Sequence, residues 1–329
     1  TLSEKGFSFL AVCAFIQEDI PMEIMSLINA LPGAAAQGLI WGIMAIGVYL
    51  TFRILDIADL TVDGTMCTGG AVCIMMLMSG HNIWISMLAA TGAGMLAGLA
   101  TGIFHTVMGI PAILAGILTQ LSLYSVNLKI MGKANQAVNV NKYDLLVSLR
   151  YIKDVPFYQN TILIVAIFIV VLIALLYWFF GTELGCSLRA TGCNPNMSRA
   201  QGINTDVSKV LGLMLSNGLV ALSSALLAQY QGFADVNMGR GAIVIGLAAV
   251  IIGEAIFSRI FRNFALRLVS VVIGSILYYL VLQAVIWMGI DTDLLKMLSA
   301  IVVAIFLAVP YWKAKYFSKP IKRGGNKNA

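Results

Sequence analysis

Thr161-Ile-Leu-Ile-Val-Ala-Ile-Phe-Ile-Val-Val-Leu-Ile-Ala-Leu-Leu-Tyr-Trp-Phe-Phe180 runs for twenty residues without a charged side chain. A helix of that length covers roughly 30 Å, the thickness of the hydrocarbon core of a bilayer. Leu268 to Met288 repeats the pattern over twenty-one residues. Composition agrees, since 60% of the 329 residues are apolar and 11% are charged, with a mean hydropathy of +0.90. Neither a disordered chain nor an ordinary soluble domain looks like this. The chain reads as all-α and polytopic in a membrane.

Outward from these two stretches lie further apolar segments at Ala34 to Leu55, Met66 to Met78, Ile83 to Phe104, Ile110 to Leu128, Val210 to Tyr230, Ala242 to Phe257 and Leu294 to Trp312. About eight to nine transmembrane helices are expected. Gly38, Gly42 and Gly47 mark the first, and Gly94, Gly98 and Gly102 fall four apart on one face of another. Small residues let helices pack closely in lipid. Residues 1–30, with the short apolar piece Phe7 to Ile16, read as an interfacial or extra short helix, residues 31–312 as one transmembrane domain, and 313–329 as a basic tail. The N-terminus lacks the pattern of a cleavable signal peptide, so later spans are expected to direct insertion.

Directly after Phe180 comes a polar island, Gly185-Cys-Ser-Leu-Arg189-Ala-Thr-Gly192-Cys-Asn194-Pro-Asn-Met-Ser-Arg199-Ala-Gln-Gly202-Ile-Asn204, within the loop 181–209. It predicts a short capped helix. Asn194 suits the N-cap, Pro195 the first helical position, and Gly202 the left-handed conformation that stops a helix. About seven residues are too few for a helix to persist alone, so it must dock on something.

Orientation follows from basic residues, which are retained on the cytoplasmic side. The tail holds six basic residues and no acidic one, which places the C-terminus inside. Counting spans backward puts 258–267 and 181–209 inside as well, and both are basic, through Arg259, Arg262 and Arg267 in one and Arg189, Arg199 and Lys209 in the other. Gln231 to Gly241 and the long connection Lys129 to Asn160 then lie outside. The net charge of +6 is concentrated beside spans. It therefore points to lipid headgroups and orientation, not to nucleic acid.

Two polar interruptions break the apolar pattern. Leu55-Asp-Ile-Ala-Asp59-Leu-Thr-Val-Asp63-Gly64-Thr65 is either a helix break or a cytoplasmic turn on the one hand, or a solvated loop on the other. Charged groups at membrane depth are tolerated only where protein or a cavity covers them. Gln231-Gly-Phe-Ala-Asp235-Val-Asn237-Met-Gly239-Arg240-Gly241 is the second. Ala58-Asp59-Leu60 followed by Gly64 resembles Ala234-Asp235-Val236 followed by Gly239, on opposite sides of the membrane. An inverted repeat demands that arrangement and would place a pathway near Asp59, Asp63, Gly64, Asp235, Asn237 and Gly239. Chance similarity over three residues is the alternative.

Catalytic patterns are missing. There is no Walker A loop, no His-Glu-x-x-His, no Gly-x-Ser-x-Gly and no dinucleotide fingerprint, so neither catalysis nor a cofactor is expected on this chain. Cys13, Cys67, Cys73, Cys186 and Cys193 have no metal-site spacing and read as buried small residues, and His81 and His105 as interfacial caps. No metal site is expected. Glu254 and Lys296 are the ionisable residues near span interiors, and both read as interfacial, with a proton relay as the alternative for Glu254. With so little chemistry for ion coupling, transport would need an outside source of energy.

Taken together, Gly185, Ala190-Thr-Gly192-Cys-Asn194 and Gly202-Ile203 resemble the pattern of the permease subunits of ATP-binding cassette importers for branched-chain amino acids and simple sugars. The similarity runs from about Leu31 to Trp312, and Ile57-Ala-Asp-Leu-Thr-Val-Asp-Gly64 is similar to the amino-acid subgroup, tryptophan-type members included. The resemblance implies a type II importer-like permease in a bacterial cytoplasmic membrane. It further implies a homodimer or a paired permease, two cytoplasmic ATPases that hold ATP and Mg, and an extracellular or periplasmic binding protein that delivers solute. It makes the short helix a coupling helix whose ATPase contact involves Arg189, Asn194, Pro195, Asn196, Met197, Ser198, Arg199 and Gly202. Family members commonly carry small alanines where Met197 and Ser198 stand here. Lys133, Lys142, Arg150, Lys153 and Arg240 of the outer loops are candidates for docking the binding protein by electrostatic steering. Alternatives are a sugar or nucleoside permease of the same kind and a stand-alone secondary transporter.

Overall fold

The computed structural model describes residues 29–140, 142–143, 145–148, 160–257, 260–261, 263–288 and seven residues between 297 and 308. The expectations for Phe7 to Ile16, Arg150, Lys153, Lys296, most of the last span and the basic tail lie outside the described residues.

Among the described residues, seven helices are long and apolar enough to cross a bilayer: α1 (Asn29–Ile54), α2 (Thr61–Met78), α3 (Ile83–Thr106), α4 (Ala112–Met131), α5 (Thr161–Gly181), α8 (Thr205–Gln231) and α10 (Phe264–Trp287). Between α5 and α8 come two short helices, α6 (Glu183–Cys193) and α7 (Pro195–Ala200), and after α8 the sixteen-residue apolar α9 (Ala242–Phe257). Asparagine side chains cap four of them. Asn82, Asn160, Asn194 and Asn204 each accept a backbone N–H of the following first turn through the side-chain oxygen, satisfying donors that a helix start leaves open. Gly132 and Gly232, both at positive φ, end α4 and α8.

The windows of α1, α2 and α8 are mostly buried, whereas α3, α4, α5 and α10 expose most of theirs. The exposed surface of these outer helices is apolar, as a lipid-facing surface must be, with Leu88, Leu121, Val170 and Trp178 among its side chains. The glycine faces read from the sequence are packing faces. Gly94, Gly98 and Gly102 of α3 lie directly against Asn217, Leu213 and Val210 of α8, where an added Cβ would meet backbone or side-chain atoms. On α1 the glycines serve two neighbours, Gly38 and Gly42 facing α10 and Gly47 facing α8. That proximity brings hydroxyls to α1 carbonyls: Ser275 donates to Gly38 O, Ser223 to Ile40 O and Ser216 to Gly47 O, each at 2.7 Å. In lipid such bonds add to van der Waals packing where the hydrophobic effect is silent.

One departure from an all-helical chain is a two-stranded antiparallel pair, β1 (Asn135–Ala137) with β2 (Phe233–Asp235), in the register Asn135↔Asp235. It joins the long connection after α4 to the connection after α8, so these two connections form one unit. Their backbone groups pair with each other where no helix is available to satisfy them.

Candidate transport site

The first interruption begins where α1 ends. Its last turn, Leu50–Ile54, widens to a π-helix, and Leu55 N–H donates to Leu50 O five residues back. Arg53 on that turn pairs with Glu254 at 3.0 Å, so Glu254 is an ion-pair partner at the ends of α1 and α9 and not an isolated mid-span acid. Asp56 takes a positive φ of 56°, and the chain then turns back toward the helices. Asp59 is 2% exposed. Its carboxylate accepts the Thr61 N–H at 2.9 Å and the Asn217 amide at 2.7 Å, the partners a buried carboxylate requires. The same Asn217 accepts from Thr65 at 2.7 Å, while Thr61, Thr101 and Thr119 form a hydroxyl chain at 2.7 and 2.9 Å. The sequence resumed its apolar run only at Met66, but α2 already starts at Thr61. The interruption is thus shorter than expected, and Asp63 and Gly64 stand in the first turn of α2.

The second interruption repeats the local turn of the first. Asp235 accepts the Asn237 N–H at 2.6 Å, two residues on, as Asp59 does with Thr61. From β2 the chain descends beside α2, with Cys67 donating to Val236 O at 3.0 Å and accepting the Gly239 N–H at 3.3 Å. Gly239 packs so closely on Asp63 O that a side chain would collide there. The Asp63 carboxylate then receives the start of α9, one oxygen accepting Gly241 N–H at 3.1 Å and the other Ile243 N–H at 3.0 Å. An anionic group at a helix N-terminus also complements the helix dipole.

Hence α2 and α9 begin together and run apart. Gly64 lies against Gln120, midway along α4. The far end of α2 reaches the strand pair, where Gln136 and Tyr143 contact Met78. The far end of α9 reaches Arg53 at the end of α1. The two helices thus share a junction at their N-terminal ends, made by the Asp63 carboxylate.

Beside this junction lies a cavity of about 250 Å³ lined by residues that include Asp63, Cys67, Gln120, Tyr124, Asn127 and Arg240. Arg240, read in the sequence as an outer-loop docking residue, is exposed like Lys133 and Lys142 and also lines this cavity. Asn217, Asn127, Gln120 and Tyr124 were not singled out in the sequence. Asn217, Asn127 and Gln120, amides within long apolar segments, carried a signal in that contrast alone.

The polar island forms two helices, α6 and α7, where one was expected. Asn194 caps α7 by accepting Met197 N–H at 3.1 Å, Pro195 occupies the first position, and Gly202 takes φ +80° just beyond the end. Gly192 packs on the backbone of Ile54 and Leu55, fixing α6 to the π turn of α1. Asn196 and Met197 face solvent, but Ser198 turns inward at 1% exposure and bonds Asn194 O at 3.0 Å. Arg199 is occupied by Thr205 at 2.8 Å and Asp206 at 3.5 Å, and Arg189 folds back to Phe180 O at 2.7 Å. Cys186 and Cys193 are exposed, unlike the buried Cys67 and Cys73, which corrects the reading of every cysteine as a buried small residue. Among the described residues, no cluster of His, Cys, Asp and Glu is arranged to hold a metal ion.

Residues 31–309 match the family model described as branched-chain amino acid transport system / permease component. The chain is 38% identical over 272 residues to the tyrosine transport system permease protein of Clostridioides difficile (strain R20291), covering 83% of this chain and 88% of that one. It is 36% identical over 282 residues to the uncharacterized protein RP368 of Rickettsia prowazekii (strain Madrid E), covering 85% and 97%. With the galactofuranose transporter permease protein YtfT of Escherichia coli (strain K12) it shares 28% identity over 272 residues, 81% of this chain and 75% of that one. The sequence resemblance, the apolar spans and this coverage agree: the chain belongs to the permease components of branched-chain amino acid-type transport systems, non-catalytic multi-pass proteins of the cell membrane.

Proposed function

We propose that this permease forms half of the translocation pathway of an ATP-driven importer for an amino acid, with an aromatic one such as tyrosine as the first candidate. The observation that carries the reading is the 38% identity, over most of both chains, to a tyrosine transport permease. Two copies of the chain assemble in the membrane, a binding protein delivers solute from outside, and two cytoplasmic ATPases bind ATP and Mg. The C-terminus and α6–α7 face the cytoplasm, in keeping with the basic residues there. α7 is the coupling helix. Its capped, six-residue length and its rigid attachment through Gly192 to the end of α1 suit a lever that transmits ATPase closure to the pathway. Lys133 and Lys142, exposed beside the strand pair, support docking of a binding protein on the joined outer loops.

A sugar importer is the second reading, favoured by the 28% identity to a galactofuranose permease. Co-reconstitution with the partner ATPase and binding protein in vesicles separates the two. ATP-dependent uptake of radiolabelled tyrosine or another amino acid is expected. Uptake of sugars alone, or amino-acid uptake driven by an ion gradient in vesicles without the ATPase, overturns the proposal.

A further inference from the structure

The cavity beside the junction of α2 and α9 brings together polar groups from α2, α4 and the segment before α9, with Arg240 exposed at its edge. Asp63 accepts Gly241 and Ile243 N–H, one on each oxygen, with Ala242 N–H also directed at it, and a carboxylate has about four acceptor positions, so acceptor capacity remains. Asn127, fully buried on α4, gives its amide N–H only a long 3.5 Å contact to Gly64 O, and its carbonyl oxygen has no donor among the described residues. A buried acceptor without a donor is an unfilled demand. Arg240 lines the same cavity and makes no ion pair among the described residues. Two acceptors, one of them anionic, and one unpaired guanidinium thus border a single space.

We propose that this cavity is a recognition site within the permease for a zwitterionic α-amino acid, Arg240 taking the carboxylate and Asp63 with the Asn127 carbonyl taking the ammonium group. An ammonium offers three N–H donors and no acceptor, which matches the Asn127 oxygen and the free positions on Asp63. A guanidinium matches a carboxylate with two parallel bonds. Tyr124, 45% exposed at the cavity edge, gives the solute side chain an aromatic surface. A neutral sugar would satisfy hydroxyl positions but leave both charges uncompensated. Selectivity would then not rest on the binding protein alone, and the pathway has a second check on the charge pattern of its solute. The inference rests on the amino-acid reading above.

The test uses the transporter with its ATPase in lipid nanodiscs, without binding protein, and reads ligand contact by saturation-transfer NMR. The probes are L-tyrosine, tyramine, which lacks the carboxylate, and 3-(4-hydroxyphenyl)propionate, which lacks the amine. L-tyrosine is expected to give a signal at least several-fold above both analogues. Arg240→Gln, at an exposed backbone position, is expected to bring L-tyrosine down to tyramine, and Asp63→Asn to bring it down to the deaminated acid. Arg240→Lys should restore part of the preference. Equal signals for all three probes in the unaltered protein, or an unchanged preference in Arg240→Gln, overturn the site while amino-acid uptake in vesicles leaves the function standing. If the vesicles take up only sugar, both readings fall.

Discussion

Asp63 in the first turn of α2 accepts the backbone N–H of Ile243 in the first turn of α9 at 3.0 Å, across 180 residues of sequence. With the companion bond from Gly241 at 3.1 Å, one carboxylate ties together the starts of two helices that point away from each other. Movement of either helix must therefore strain or break this link, which makes it a fulcrum for any change of access.

Replacing Asp63 by Ala removes both bonds and leaves the α9 donors without a partner at a half-buried junction. Hydrogen bonds to a charged group contribute about 1.5–3 kcal/mol each, so a loss of about 3 kcal/mol is expected. Thermal unfolding of the purified protein in detergent should show a clearly lowered midpoint, and uptake should be abolished. Asp63→Asn keeps one accepting oxygen and should fall between the two. A midpoint for Asp63→Ala equal to that of the unaltered protein would remove the structural role.

Asn217 bridges Asp59 at 2.7 Å and Thr65 at 2.7 Å, holding the turn before α2 against α8. Asn217→Ala strands a buried carboxylate, and breaking such a partnership costs about 3 kcal/mol or more. Adding Asp59→Asn removes the charge that was stranded. The double variant should consequently be less unstable than the sum of the singles by about 1 kcal/mol, the size of coupling seen between groups in one network. Strict additivity in the unfolding midpoints would mean that the bond is not maintained in the membrane.

The spans were legible because charge-free runs of membrane length have few other meanings, and Gly94, Gly98 and Gly102 announced a packing face by their period alone. The α7 cap was legible for the same local reason, since Asn194, Pro195 and Gly202 each act within a few residues. The likeness of the two interruptions was visible as Ala-Asp-x, and its content is the shared turn at Asp59 and Asp235. What the sequence did not reveal depends on distant partners. The place of Arg240 at the cavity edge had no local signal, because nothing in its own stretch says that the chain after β2 meets Asp63. Ser198 read as a contact residue because burial against the rest of the α6–α7 unit leaves no trace in a six-residue helix. The start of α2 was misplaced because Thr61, Asp63 and Gly64 are poor helix formers held in place by Asp59, Asn217 and α9.

Met197 on α7 is 52% exposed, an apolar side chain about half uncovered among the described residues. If α7 sits in a groove of the ATPase, Met197→Ala should lower ATPase stimulation by solute-loaded binding protein several-fold while leaving the permease folded, whereas Asn196→Ala on the same exposed face should show whether polar contacts matter equally. Unchanged stimulation in both variants would exclude α7 as the coupling element.

Gly192 gives a complementary test, because it acts inside the permease. Its Cα lies against the Ile54 carbonyl, and any side chain there pushes α6 away from the end of α1. Gly192→Ala should retain membrane insertion and solute recognition but uncouple ATP hydrolysis from uptake, seen as hydrolysis that no longer responds to solute. Gly92 on α3 has open space at its Cβ position, so Gly92→Ala serves as the neutral control.

Asn127 separates stability from function. Its buried carbonyl without a donor costs about 1–3 kcal/mol relative to a satisfied or apolar neighbour. Asn127→Leu, of similar shape, removes that penalty and should raise the unfolding midpoint in detergent by about 2 °C or more. If the oxygen is kept for the solute, the same substitution should slow uptake, the trade expected where a binding group is held at a cost to the fold. A variant that is both more stable and equally active would show that Asn127 is an accident of packing. One that is less stable would show that the carbonyl has a partner in the membrane-embedded protein.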